Sequence, residues 1–435
     1  MPSPTRPIIL VALTALALPQ LSCSQPPAVE DVAARSAAAP TAAQSSDWSQ
    51  WRGNDRDGHA GSFVPPATWP DTLSAAWTVE IEPGHSGPIV AEETIFLHLR
   101  TSSGEAVEAR KLSDGSVLWR SEYPTAYTVH PEAEWHDRGP FSTPLYAGGV
   151  LYTMGVAEVL SAWEAESGEL LWRTDFGEEF ETPFAYYGTS NSPILASGHL
   201  VVHVGGPGDG ALVGLDPSTG FEAWRWAGDG PAYGSAIETE LDGVNQLVTF
   251  SQKQLIAVAP ESGELLWELP YEVPWDNTVQ TPLVVDDKVI LAAWDTPARS
   301  YRPTRREEGW QVPVVWTNPD ASVAYASSVL IDGSVWGFAQ KAKGRLCQLD
   351  ASTGETLWQG PGRQGEHATL VAAGSWLLVF LESGQLQIID TTTEPPAPVA
   401  EYTVGESAVW AHPAVFGNSL LVKDQESLTL WRLPN

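Results

Sequence analysis

Short apolar runs separated by turns rich in Gly, Asp and Pro recur along this chain, and one phrase sets their period. Leu349 to Trp358 reads Leu-Asp-Ala-Ser-Thr-Gly-Glu-Thr-Leu-Trp. It predicts the second half of a β-hairpin: an apolar strand end, an Asp able to accept from turn amides, a Gly suited to φ > 0, and a new strand carrying Trp. The Trp follows the Gly by four residues here and again at Gly115/Trp119, Gly168/Trp172, Gly220/Trp224 and Gly263/Trp267. An even offset puts each Trp on one face of its strand, so every copy sets an indole at an equivalent place in a repeated sheet.

Looser copies complete the series. Glu308-Gly309 before Val314-Val315-Trp316 stands for the unit between Trp267 and Trp358, Thr393-Glu394 before Val399 is a copy without Gly or Trp, and Trp77 marks a final strand with no earlier strands before it. The markers lie 41 to 53 residues apart, the length of a four-stranded propeller blade. Eight openers precede apolar strands, among them Ser86-Gly-Pro, Ser142-Thr-Pro, Asn191-Ser-Pro, Gln280-Thr-Pro and His412-Pro. Pro at a strand's first residue forfeits no ladder hydrogen bond. The last unit supplies three strands and then the chain stops. The expected fold is therefore all-β: an eight-bladed β-propeller of four-stranded antiparallel blades, with the strand at Trp77 pairing with the strand at Leu430 to close the ring.

Before the repeats, Arg6, an apolar run from Pro7 to Leu18 and Leu21-Ser22-Cys23 predict a signal segment over 1–23. The run is too short to span a bilayer. Residues 24–46, rich in Pro, Ala, Ser and Gln, predict a disordered tether, and 47–435 a single propeller domain. Cys347 is the only cysteine besides Cys23, so no intramolecular disulfide can staple the mature domain, and packing by the 20 Trp must hold it. With 54 acidic against 23 basic residues the net charge is −31, which excludes nucleic acid and an anionic membrane surface as partners. Membrane contact is expected only through a lipid on Cys23.

The Leu-Asp-x-x-Thr-Gly-x-x-x-Trp repeats, the Ser-Pro and Thr-Pro openers and Trp48-Ser-Gln-Trp51-Arg-Gly53 resemble bacterial propellers of pyrroloquinoline-quinone-type repeats. That group includes quinoprotein dehydrogenases and the propeller lipoprotein of the outer-membrane β-barrel assembly machinery. Cys23 likewise resembles the acylated Cys of bacterial lipoproteins, departing from that pattern at Gln20. The resemblance implies localisation in the periplasm or at the outer membrane. It leaves three functions: a non-catalytic ligand- or protein-binding scaffold of the cell envelope, an outer-membrane protein assembly subunit, or a dehydrogenase of an alcohol or sugar using the quinone with calcium. The vicinal Cys pair of quinone-dependent alcohol dehydrogenases is absent, no catalytic residue carries over by motif, and the expectation is a non-catalytic protein without a resident cofactor or metal.

The resemblance also implies which loops share the ligand face: those between blades and those joining second to third strands. On that face fall the cations His85, Arg138, Lys253, Lys341, His367, His412 and Lys423. The aromatic and amide residues Tyr187, Asn191, Tyr233, Asn277, Gln280, Tyr325 and Trp410 precede inner strands on the same side. The expected site is a funnel mouth, cationic and aromatic, that captures an anionic small molecule or a cell-envelope protein. No Gly-rich phosphate loop or nucleophile elbow is present; the Gly-rich stretch 203–210 is followed by no helix pattern.

Overall fold

The computed structural model describes residues 47–434 apart from 126, 129, 134–137, 181–186, 275–277 and 324. Eight four-stranded sheets account for the described strands, with one two-stranded hairpin in addition and no α-helix among the described residues. The innermost strands Ile89–Ala91, Leu145–Ala147, Ile194–Ala196, Ile237–Leu241, Leu283–Val285, Val329–Ile331, Ala368–Ala373 and Ala414–Phe416 number the blades 1 to 8. In each of blades 1 to 7 the strands follow one another outward in chain order. Blade 8 has three C-terminal strands, and its outermost strand is Ser74–Glu80, antiparallel to Ser427–Arg432 with Trp77 opposite Leu430. The ring closes by the pairing the repeats predict, which removes the edge an incomplete eighth sheet would leave.

Burial follows the radius. Second strands such as Trp376–Leu381 are buried almost throughout, whereas outer strands such as Ser74–Glu80 and Pro398–Thr403 are largely exposed. Their marker Trp residues explain how the blades stay together. Four of these indoles donate over the hairpin turn of the following blade: Trp77 Nε1 to Leu112 O at 3.0 Å, Trp119 to Ala165 O at 2.8 Å, Trp172 to Pro217 O at 3.0 Å and Trp316 to Ala351 O at 3.1 Å. The ring lies against the marker Gly of that turn, where a Cβ would sit 2.4 Å from Trp119 at Gly168 and 2.6 Å from Trp172 at Gly220. Gly is thus required twice, by φ near +73° and by the neighbouring indole. The turn Asp plays its expected part: Asp216 Oδ1 accepts from Ser218 N at 2.8 Å and Thr219 N at 3.0 Å, and bonds to Ser218 and Thr219 hold its carboxyl below the usual range.

Blade 5 departs from the expected repeat. Glu308-Gly309 does not form its outer turn; Gly309 begins the second strand of an inserted hairpin, Thr304–Arg306 with Gly309–Gln311, and the outer strand Val314–Asn318 follows it. The hairpin is tied to blade 4, where Asp242 accepts from Arg305 N at 2.7 Å.

Gly220→Val should lower stability by at least about 1–3 kcal/mol, the strain of a non-Gly residue at that φ, with the clash against Trp172 adding to it. Thermal denaturation measures the loss, and an unchanged melting temperature would contradict the interlock.

Candidate functional site

The N-terminal stretch 47–64 runs through the middle of the ring and touches every blade. Trp48 exchanges backbone bonds with Val90 of blade 1 at 2.8 and 2.9 Å, and Ser49 O accepts from Tyr146 N of blade 2. Arg56 donates to Ser192 O and Pro193 O of blade 3 at 3.1 and 2.9 Å and to Ala236 O of blade 4 at 2.9 Å. Trp51 Nε1 donates to Thr281 Oγ1 of blade 5 at 2.9 Å, and Arg52 to Ser328 O of blade 6 at 2.7 Å. Ala60 N and Gly58 O bond Ala372 of blade 7, and Val64 N bonds Gly417 O of blade 8. Arg52 and Arg56 are 1 % and 4 % exposed, with φ of 60° and 59°. Burial lowers their pKa to about 10 and about 9. Both remain guanidinium at neutral pH, and their charge is met by carbonyl dipoles from the inner-strand starts.

Above this plug lies a cup of about 140 Å³. Its wall comes from the residues just before or at the start of the inner strands, which converge on the axis: His85 and Phe141 from blades 1 and 2, Tyr187 and Tyr233 from blades 3 and 4, Tyr325 from blade 6. His367, Trp410 and His412 of blades 7 and 8 complete it, with Trp51 contributed by the plug. The Trp410 indole is sandwiched between imidazoles, His85 at 5.5 Å and 11° and His367 at 4.9 Å and 16°. Tyr325 meets the same indole edge-on at 6.0 Å, and Tyr187 meets Tyr233 edge-on at 5.6 Å. The imidazoles are oriented by hydrogen bonds: His85 Nε2 accepts from the Gln425 amide at 2.8 Å, and His367 Nδ1 donates to Tyr325 O. His412 Nδ1 donates to Pro413 O at 3.1 Å while Trp48 stacks on its ring; burial, reinforced by the Arg52 charge, lowers its pKa to about 3.

Seven residues expected at the funnel mouth therefore line one cavity. The others go elsewhere. Lys423 is 0 % exposed and its Nζ donates to Gly84 O, so it presents no charge to solvent. Asn191 is buried and its amide brackets His203, donating to His203 O at 3.1 Å, and Gln280 Oε1 accepts from Ala292 N at 2.6 Å; both align inner strands with second strands. Lys341 is exposed but pairs with Asp320 at 2.8 Å. Arg138 and Lys253 are exposed away from the cup lining. Asn277 and Cys23 lie outside the described residues. The expectation of a cationic cup is accordingly corrected: among the described residues its lining has no Lys or Arg, because the bases of this face are buried, paired or peripheral.

Acids on this face are held by backbone amides. Asp424 accepts from Glu406 N, Ser407 N, Glu426 N and Ser427 N at 2.7 to 3.3 Å; burial raises its pKa, but these four bonds hold it below the ordinary value. Glu382 accepts from Glu366 N and His367 N, both at 3.1 Å, which fixes the approach of His367 to the cup. Glu158 of blade 2 accepts from Gly205 N of blade 3 at 2.9 Å, and burial pushes its pKa up to about 8.

A quinone cofactor with a divalent cation does not fit what the cup offers. Its several carboxylates need cationic or amide partners and its cation needs carboxylate oxygens. The described lining supplies no Asp, Glu, Lys or Arg, and no group of three His, Cys, Asp or Glu able to hold a metal occurs among the described residues.

Arg56→Met should cost at least about 3 kcal/mol, since it strips charge-assisted bonds from three buried carbonyls; denaturant unfolding measures it, and a loss under about 1 kcal/mol would refute the plug's role as a strut. His412 should make stability pH-dependent. Unfolded His binds a proton near pH 6.5 while the buried ring stays neutral until about pH 3. Over that window the unfolded chain holds more protons, so stability falls as pH falls. Glu158 acts with the opposite sign between its ordinary value of 4.5 and about 8. The diagnostic is therefore the difference between the native chain and His412→Asn, whose stability should fall less steeply from pH 6.5 to 4.

The sequence matches a family described as outer membrane protein assembly factor BamB over residues 104–359 and 271–433. Searching the curated proteins gives no match. Among solved structures, BamB from Moraxella catarrhalis superposes with a TM-score of 0.60 at 15 % identity, covering 84 % of this chain and 98 % of that one. Quinohemoprotein alcohol dehydrogenase from Comamonas testosteroni gives a TM-score of 0.66 at 15 % identity, with 91 % and 82 % covered. A europium-containing methanol dehydrogenase gives 0.54 at 12 % identity, with 89 % and 98 % covered. At 12 to 15 % identity these likenesses speak to the fold alone. The family match spans most of the chain and takes in blades 1 to 8: this protein belongs to the BamB family of eight-bladed propellers of PQQ-type repeats.

Proposed function

We propose that the protein is a non-catalytic docking scaffold of the cell envelope, exported by the segment 1–23, acylated at Cys23, and carrying its propeller domain 47–435 on the tether 24–46. Family membership carries this reading, because the described cup lacks the donors that quinone chemistry would demand. The partner class follows from the family description: a component of outer-membrane β-barrel assembly.

The docking place is a recess of about 450 Å³ on the cup face, lined by Trp294, Lys343 and Arg363 with Glu366 at its side. Lys343 and Arg363 are exposed on backbone with φ of 62° and 68°, and Arg363 N bonds Ala342 O at 2.9 Å, which keeps the two loops together. On a chain of net charge −31 this pair is a local exception, and exposed Arg beside Trp is the composition of an interface anchor. An acidic, aromatic segment of the partner would find both complements there. Trp294 also packs on Tyr325 at 5.8 Å, which joins the recess to the cup wall.

Affinity capture of the tagged chain from envelope extracts tests this. A Lys343→Glu/Arg363→Glu double variant should recover a β-barrel assembly component about tenfold less well with unchanged melting, a fall of about 1.4 kcal/mol. Undiminished recovery would place docking elsewhere, and failure of the native chain to recover any such component would overturn the scaffold reading.

A further inference from the structure

The cup and the recess share a wall. Trp294 of the recess packs on Tyr325 of the cup at 5.8 Å, and Glu366 of the recess is followed in the chain by His367 of the cup. His367 Nδ1 donates to Tyr325 O, which fixes the partition between them. A segment seated on Trp294, Lys343 and Arg363 therefore has the cup beside it.

What the cup accepts follows from what its wall has left to offer. A cation is opposed by the buried Arg52 charge, which acts on His412 in the lining. A carboxylate finds no Lys or Arg among the described lining residues. A polyol needs hydrogen-bond partners, but the lining spends polar atoms on the protein itself. Ser190 Oγ donates to Tyr233 O at 3.0 Å, Ser327 Oγ accepts from Thr281 N at 3.1 Å, Thr369 Oγ1 lies 3.4 Å from His367 Nε2, and Trp51 Nε1 donates to Thr281 Oγ1. Both faces of Trp410 are covered by imidazoles, so it can show the cup only its rim. Phe141, Val279, Ala326 and Leu370 supply apolar surface. The volume of about 140 Å³ is close to the roughly 150 Å³ of an apolar protein cavity that takes up benzene, so one side chain of Leu or Phe size fits.

We infer that the axial cup receives a neutral apolar side chain, of leucine or phenylalanine size, from the partner segment whose acidic part sits on the recess. This rests on the docking reading above and adds an anchor to it. Exposed charges such as Lys343 and Arg363 act mainly on encounter, whereas an apolar side chain in a preformed, desolvated pocket slows departure.

Two measurements on the full chain test it. Tryptophan fluorescence follows titration with N-acetyl-L-leucinamide and N-acetyl-L-phenylalaninamide, and with the corresponding asparagine, aspartate and lysine derivatives. The two apolar probes should bind saturably and the other three at least about tenfold more weakly. Val279→Phe, which puts a ring into the cup, should abolish probe binding with melting unchanged. It should also cut recovery of a β-barrel assembly component from envelope extracts at least about fivefold, as loss of an anchor does. Lys343→Glu/Arg363→Glu should leave probe binding as it is. Should Val279→Phe unfold the chain, Val279→Ala enlarges the cup instead and should shift preference at least about threefold toward the phenylalanine probe; no shift overturns the inference. Recovery that Val279→Phe leaves undiminished, while the double variant loses it, would overturn the inference and spare the recess. Equal binding of all five probes, or of none, would overturn it as well. A native chain that binds the apolar probes yet recovers no assembly component would make the cup a small-molecule pocket and overturn both readings.

Discussion

Everything on the axis depends on two buried guanidinium groups. Arg52 and Arg56 lie where eight inner strands begin, and their N–H groups go to main-chain carbonyls of blades 3, 4 and 6 that a closed ring would otherwise leave facing an empty channel. A charge so deeply buried is tolerable only when its donors are satisfied. The carbonyl ends of the inner strands satisfy several of them, and in return the guanidiniums fix the distance between those strands. Trp51, placed next to Arg52 by the chain, then becomes part of the cup wall. One local solution to a desolvation problem thus sets both the geometry of the ring and that of its pocket.

Outside the axis the same economy appears between blades. Indoles cover the next blade's Gly turn, and carboxylates on the cup face accept amides from linking loops. These contacts use residues whose polar atoms would otherwise be stranded at a blade boundary. They also account for the scarcity of exposed charge at the cup: Asp424 and Glu382 are engaged with backbone, and Lys423 with the Gly84 carbonyl.

Repetition made the ring legible in the sequence. The Gly-to-Trp offset is a local requirement of a hairpin turn met by a neighbouring indole, so it recurs in five of the eight blades, and blade spacing followed from it. The cup was legible for a geometric reason: a residue just before an inner strand must lie near the axis, which brought His85, Tyr187, Tyr233, Tyr325, His367, Trp410 and His412 together. Sequence order carries no such rule for depth. Lys423, Asn191 and Gln280 have the loop positions of surface residues, yet their burial is decided by which carbonyl or amide of another strand lies beside them. Glu308-Gly309 looked like a worn turn because an inserted hairpin uses the same residues as a simple one. Arg52 and Arg56 were visible only as two bases within Trp-Arg-Gly-Asn-Asp-Arg-Asp-Gly, in a chain poor in bases and ahead of its first repeat; that contrast was the available signal.

The pairing of Trp77 with Leu430 has a consequence for how such a chain reaches its folded state. The residues that plug the ring and those that close it are made before the blades they join, and because their partners extend to the C-terminus, the plug cannot complete its contacts nor Ser74–Glu80 its pairing until the last blade has emerged. Loop closure over that separation is an entropic cost met late, and folding dominated by such distant contacts is slow. Until then the inner strands of the early blades face an open channel and blade 8 has an unpaired edge. A chain that crosses a membrane before folding would therefore be most exposed to aggregation between the release of its last strand and the arrival of its first.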